Sequence, residues 1–197
     1  SLQAHAGAAE AATPADVHDG DYYVSLGVLF KKAGENMEGT KIVKLNRKVG
    51  SVVRTTGRTM QGAAGGLWVQ LDTSSGNSGA GEKPGYVMID APGFGTPLPC
   101  LQKVCMEDGP PQILHVTKPD GAQAWDGNDD DKELLVFHKT SVSKMKAMIA
   151  KLFCLQESRL AILGRDGSAM ADEATTRDAG LKHGDAVRST YTVASQM

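Results

Sequence analysis

The chain has 197 residues, with 21 Lys and Arg and 23 Asp and Glu, which gives a formal net charge of −2. This balance excludes a strongly basic nucleic-acid-binding tail and an acidic disordered protein as descriptions of the whole chain. The 23 Gly and 8 Pro favour short strands and many turns over a helical bundle. No apolar run approaches the roughly 20 residues of a membrane-spanning helix.

The first residues are rich in alanine, with Glu10 as the single acid of residues 1–15 and no initiator Met. Two explanations stay open: an artificial chain boundary, or a terminus left after removal of a targeting peptide. The second explanation predicts an organellar protein, in a plastid or a mitochondrion, and the cytoplasm stays open. We expect residues 1–19 to form an extended N-terminal arm.

The three cysteines are Cys100, Cys105 and Cys154. An odd number leaves at least one free thiol, which favours an intracellular, reducing compartment. A bridge between Cys100 and Cys105 stays open for an oxidising compartment.

Residues 20–104 carry the pattern of short β-strands separated by glycine-rich turns. The predicted strands cover residues 22–30, 41–45, 49–55, 67–71 and 86–89. Short strands with long turns favour a small closed or nearly closed barrel, because closure removes exposed strand edges.

Three segments of this half resemble Src-homology-3-like (SH3-like) barrels of the bacterial or organellar type. They are LNRKVGSVVR at 45–54, GGLWVQL at 65–71 and KPGYVMI at 83–89. In that family a glycine opens a hairpin strand, a tryptophan starts the next strand, and a Gly-Tyr or Gly-Trp pair begins the last. The resemblance implies that Trp68 and Tyr86 anchor a small core. The insertion between Asp72 and Lys83 departs from the compact pattern.

Residues 105–111, with the sequence CMEDGPP, predict a linker, because paired prolines interrupt helices and lack the N–H group that a sheet needs. Beyond the linker, Ser141 is a candidate helix N-cap and precedes an apolar stripe at helical spacing. The stripe comprises Val142, Met145, Ile149 and Leu152. The predicted strands around this helix cover residues 113–117, 134–138, 159–164 and 186–193.

The order strand, strand, helix, strand, turn, strand, with the turn GLKHGD at 180–185, resembles ubiquitin-like domains. The resemblance implies a β-grasp domain over residues 112–193. The predicted fold class is therefore α+β, an N-terminal SH3-like β-barrel at 20–104 followed by a β-grasp domain. Conjugated members of the family end in a Gly-Gly tail, whereas this chain ends TVASQM. We therefore expect an integral module rather than a transferable tag.

Charge is unevenly distributed along the chain. Residues 39–71 contain no acid, whereas residues 120–133 are strongly acidic. A basic surface favours docking to an anionic partner, which can be an acidic protein, RNA or lipid headgroups, and a solvated face without a partner is the alternative. The candidate partner-binding residues are Lys41, Lys44, Arg47, Lys48, Arg54 and Arg58.

A second candidate docking surface lies on the predicted strand at 159–164. Side chains alternate between the two faces of a strand, so Ala161 and Leu163 should point away from a core that takes Leu160 and Ile162. An ordinary strand exterior is the alternative interpretation.

Metal binding finds little support in the sequence. Asp126, Asn128 and Asp130 occupy the first, third and fifth positions of a calcium-binding loop. The sixth position is Asp131 rather than Gly, and the twelfth is Phe137 rather than Glu. The candidate soft ligands are Cys100, Cys105, His115 and Cys154. Their spacing matches no zinc-ribbon or zinc-finger pattern.

The sequence lacks the nucleophile elbow, the phosphate-binding loop and the dinucleotide-binding glycine motif. We therefore expect no catalytic residue, no cofactor and no metal. These features favour a non-catalytic protein-interaction or scaffold protein, a peripheral subunit of a large intracellular or organellar assembly, and by analogy a plastid photosystem complex. Two alternatives stay open. One is a ubiquitin-pathway adaptor with an integral ubiquitin-like domain, and the other is an organellar ribosomal or RNA-binding protein that uses the basic 41–58 face.

Overall fold

The computed structural model describes residues 17–34, 41–62, 65–90, 92–122 and 131–193. The predicted N-terminal arm, except for residues 17–19, lies outside these ranges. Strands and one helix make up the regular structure of the described residues. They are β1 (Tyr22–Val24), β2 (Val28–Ala33), β3 (Ile42–Asn46), β4 (Val52–Val53), β5 (Thr55–Gln61), β6 (Leu67–Leu71), β7 (Gly85–Asp90), β8 (Leu101–Lys103), β9 (Gln112–Val116), β10 (Lys132–Val136), α1 (Val142–Leu152), β11 (Leu160–Leu163) and β12 (Ala186–Tyr191).

The first half forms two antiparallel sheets. One has five strands in the order β3-β2-β7-β6-β5, and the other has three in the order β4-β1-β8. The predicted strand at 22–30 is divided into β1 and β2, because the chain turns at Gly27, whose φ is +65°. The chain passes from one sheet to the other twice. It leaves the three-stranded sheet after β1 and after β4, and each time the next strand, β2 or β5, belongs to the five-stranded sheet.

Within the described residues no sheet closes into a barrel, so the predicted SH3-like barrel is not shown. The two sheets instead share a core that includes Val24, Leu29 and Val87. Trp68 and Tyr86 are buried as large side chains, but they pack with Met88 in a separate cluster. Adjacent residues of a strand point to opposite faces, so Val87 enters the shared core and Tyr86 does not.

The second half has the strand order of a β-grasp region. Its four-stranded sheet runs β10-β9-β12-β11, with β9 and β12 parallel and the other pairs antiparallel. The predicted helix is confirmed as α1, which begins after Ser141 and buries Val142, Met145 and Ile149. These side chains meet Leu114 and Leu134 of the sheet in one core. The chain is therefore α+β, mostly sheet with one helix.

The two halves pack against each other. Ile113, Leu135 and Phe137 lie on the sheet face opposite α1, and they are buried in one cluster with Tyr23 and Val104 of the first half. The rings of Tyr23 and Phe137 are 5.8 Å apart between centroids. The predicted linker continues from β8 through a 3₁₀ turn (Met106–Asp108) into β9.

Gly50 marks how closely the halves approach at this junction. Its φ is +80°, and a Cβ atom added there would lie 2.8 Å from Cδ1 of Ile113. A larger residue would therefore strain the backbone and also press on the second half.

Candidate functional site

The six predicted basic residues do not share one surface. Lys44 lies in β3 and Arg58 in β5, which are the opposite edges of the five-stranded sheet. Lys41 and Lys48 flank β3. The set is therefore divided between two sheet edges and the loop contacts described next.

Arg47 and Arg54 bind the glycine-rich loop that separates β6 from β7. Nε of Arg47 donates a hydrogen bond to the carbonyl oxygen of Gly79 at 2.7 Å. Nη1 of Arg54 donates to Oγ of Ser75 at 3.2 Å. These contacts give both arginines a role in ordering the insertion between Asp72 and Lys83.

Lys31 is a third cation on this loop, and the sequence analysis missed it. The residue is 9% exposed, and its Nζ donates to the carbonyl oxygens of Ala80 at 2.9 Å and Lys83 at 2.7 Å. Burial lowers the pKa of Lys31, and the nearby cations Arg47 and Lys83 lower it further. The sequence does show a lysine that directly follows the apolar residues of a strand. It does not show the contacts of this lysine, because both carbonyl partners lie about fifty residues further along the chain.

The loop also approaches the three-stranded sheet closely. Gly79 has a φ of +82°, and a Cβ atom there would collide with the carbonyl oxygen of Val52. The insertion is thus held by close backbone packing as well as by cations.

The edge strand β3 carries the exposed part of the basic set. In the described sheet β3 pairs with β2 alone, so its other side has no strand neighbour. Lys41, Lys44 and Lys48 are exposed, and Val43 between them is 46% exposed. None of the three lysines makes an ion pair with an acid that the structure describes. This lysine edge is defined as Lys41, Val43, Lys44 and Lys48.

Ala161 and Leu163 point away from α1, as predicted for β11, and both are half-buried. They lie opposite Thr190 and Arg188 of β12. At the β9–β10 side, the same sheet face is covered by the first half through Phe137 and its neighbours. The buried cluster between the halves contains no described residue of β11 or β12.

The cysteines lie in different environments and are all free. Cys100 is buried, whereas Cys105 and Cys154 are exposed. Burial raises the pKa of the Cys100 thiol to about 11, and the Asp90 carboxylate contributes in the same direction. No group of three or more His, Cys, Asp or Glu in the described part of the chain is arranged to hold a metal ion. The calcium-loop residues 126–130 lie outside that part.

No helix among the described residues is both long and apolar enough to cross a membrane.

Comparison with known proteins identifies a partial structural likeness. No protein-family model and no curated protein matches the sequence. Among solved structures, Caldiarchaeum subterraneum ubiquitin aligns with 43% of this chain and 99% of its own, at 17% identity and a TM-score of 0.35.

Proposed function

We propose that this chain is a non-catalytic protein-interaction subunit, which docks to an acidic protein surface of a larger assembly through the lysine edge of β3. The observation that carries the proposal is an unpaired strand edge with three exposed lysines and a half-exposed valine. An edge strand offers unpaired backbone groups to an extended partner segment. Lysines on such an edge also oppose pairing between copies of the same chain.

Electrostatics would select the partner. The three lysines attract an acidic surface and repel a basic one, so they raise the association rate and disfavour wrong partners. The half-exposed Val43 supplies apolar contact within the same edge. The organellar location and the plastid complex remain predictions from sequence.

The test is co-migration of the full chain with a large complex in a native gel after gentle lysis. Replacing Lys41, Lys44 and Lys48 by Glu should release the chain from the complex, because three attractive charges become repulsive. A matched control replaces the exposed residues Lys139, Arg177 and Lys182 by Glu, with the same change in net charge. The control variant should remain in the complex.

Three outcomes would overturn the proposal. The wild-type chain could migrate only as a free monomer, or both triple variants could leave the complex equally. Release of the wild-type chain by ribonuclease would instead favour the RNA-binding alternative.

A further inference from the structure

A cleft of about 530 Å³ opens between α1 and the first half of the chain. Its volume falls within the range of about 300–1,000 Å³ that is usual for binding pockets, and such pockets are common where two structural units meet. One wall consists of residues of α1, and the other comes from the ends of β6 and β7 and from the segment that leads into β8.

The α1 wall is a second face of the helix. It comprises Lys144, Ala147, Met148 and Lys151. These residues follow the i, i+3, i+4, i+7 spacing that places side chains on one side of a helix. None of these residues belongs to the buried stripe of α1, although Met148 also packs against the edge of the β-grasp core. Lys144 and Lys151 are exposed, and both line the cleft.

The interior of the cleft is largely apolar. Leu98 and Leu101 line it from the first half, and Ala147 and Met148 line it from α1. Leu67 at its border is 36% exposed. Leu98 and Leu101 are already buried in the cores. An apolar side chain that entered the cleft would therefore exclude water mainly from Ala147, Met148 and Leu67, which favours binding.

The charges around the cleft are mainly positive. Lys103 lies on the first-half wall, with Lys144 and Lys151 on α1, and Asp90 is the acid among the lining residues. None of the three lysines makes an ion pair with another described residue. Lys144 and Lys151 are seven positions apart, which corresponds to about 10.5 Å along a helix. This separation suits several carboxylates along a chain better than one small anion.

A buried hydroxyl in the cleft wall lacks a partner. Ser25 lines the cleft and is 6% exposed, and its Oγ has no hydrogen-bond partner among the described residues. Buried polar groups in folded proteins are nearly always hydrogen-bonded. This oxygen is itself buried, so a peptide in the cleft does not contact it.

From these observations we infer that the cleft binds a short acidic peptide segment of a partner protein. One apolar side chain of the peptide inserts between α1 and β8, and its flanking carboxylates contact the three lysines. The inference rests on the proposed role as an interaction subunit, but it concerns a surface that shares no residue with the lysine edge.

The experiment is selection of a random octapeptide display library on the immobilised full chain, followed by affinity measurements with the enriched peptides. We expect enrichment of peptides with one large apolar residue flanked by Asp or Glu. The double variant Lys144→Glu/Lys151→Glu should weaken their binding at least tenfold. The control Lys139→Glu/Lys182→Glu has the same charge change outside the cleft and should bind like the wild type.

Ser25→Ala is a second control, placed in the wall of the cleft. Its peptide affinity should match that of the wild type, because the hydroxyl oxygen that it removes is buried and does not contact the peptide.

The inference would be wrong if the selection enriched no acidic peptide, or if enriched peptides bound the cleft variant and the control equally. Binding of fluorescent dodecanoic acid, abolished by the cleft variant and without any peptide enrichment, would assign the cleft to a lipid-like ligand instead. Either failure leaves the proposed function intact if the lysine-edge variant still leaves the native complex.

Discussion

At the scale of single residues, position in the fold decides what each charged or reactive side chain can do. Lys31, Arg47 and Arg54 are cations like Lys44, yet they donate hydrogen bonds to the loop between β6 and β7. The sequence shows that basic residues cluster along the chain, but it does not show the distant carbonyl and hydroxyl groups that bind some of them. For this reason the predicted basic set contained both docking candidates and structural residues.

Cys100 provides a prediction on pH. Its thiol has a pKa of about 11 in the folded chain, above the ordinary value of 9.0 that applies after unfolding. Well below pH 9 the thiol is neutral in the folded and in the unfolded chain, so its ionisation does not lower the free energy of unfolding there. Between pH 9 and 11 the unfolded chain loses the proton more readily, so the free energy of unfolding falls as pH rises, by up to about 2–3 kcal/mol.

The measurement is urea unfolding of the wild type and of Cys100→Ala between pH 8 and pH 11. Burial also raises the pKa of Tyr22 and Tyr23, so both proteins should lose stability in alkali. The wild type should lose more, and parallel curves for the two proteins would contradict the assignment to Cys100.

At the scale of elements, α1 is the part of the fold that the sequence determines most directly. The four-residue apolar stripe requires a helix to face one core, and Ser141 supplies the N-cap, with its Oγ accepting from the Lys144 N–H at 3.1 Å. The following N–H groups also have partners, since Val142 and Ser143 donate to the carbonyls of Ala174 and Asp172. Local sequence and tertiary contacts thus agree on where the helix begins.

Ser141→Ala should reduce the free energy of unfolding by about 1 kcal/mol, because the Lys144 N–H loses its side-chain acceptor. Ser143→Ala is the matched control, since Ser143 is exposed within the first turn and its side chain caps nothing in the described structure. Its effect should stay within about 0.5 kcal/mol. Equal losses for the two variants, measured by denaturant unfolding, would show that the cap contributes nothing.

Strands were less predictable than the helix. The bounds predicted for 67–71 match β6, whose apolar residues make the pattern clear. In contrast, β5 has the polar sequence TTGRTMQ and an irregular register, and β8 has three residues, so neither carries a strong strand pattern. The motifs that suggested a closed barrel identify strands, but they do not specify which strands pair, and pairing depends on contacts between distant residues.

At the scale of the whole molecule, the buried cluster around Tyr23, Val104 and Phe137 joins the two halves. The sequence pattern predicted two modules, and it carried no signal for whether they touch, because Ile113, Leu135 and Phe137 look like ordinary strand residues. In the structure these side chains are buried by the first half rather than by α1. The sheet face opposite α1, which an isolated module would expose to solvent, is therefore part of the core of this protein.

Phe137→Ala should destabilise both halves together, by about 3–5 kcal/mol, because it removes a buried ring from the shared cluster. In a Trp125→Phe background Trp68 is the single tryptophan, so its fluorescence reports the unfolding of the first half. Phe137 itself lies in the second half. The Trp68 transition should move to lower urea concentration with the same midpoint as the circular dichroism transition. An unmoved Trp68 transition would show that the halves unfold independently.

The parallel pairing of β12 with β9 also has a consequence for how the protein is made. His115 and Val116 lie opposite Ala186 and Val187, so β9 needs a partner strand that lies about seventy residues later in the chain. While the chain is being synthesised, β9 keeps one bare edge until residues 186–191 leave the ribosome. During that interval the nascent chain exposes an unpaired strand edge, and the four-stranded sheet is completed only after residues 186–191 have emerged.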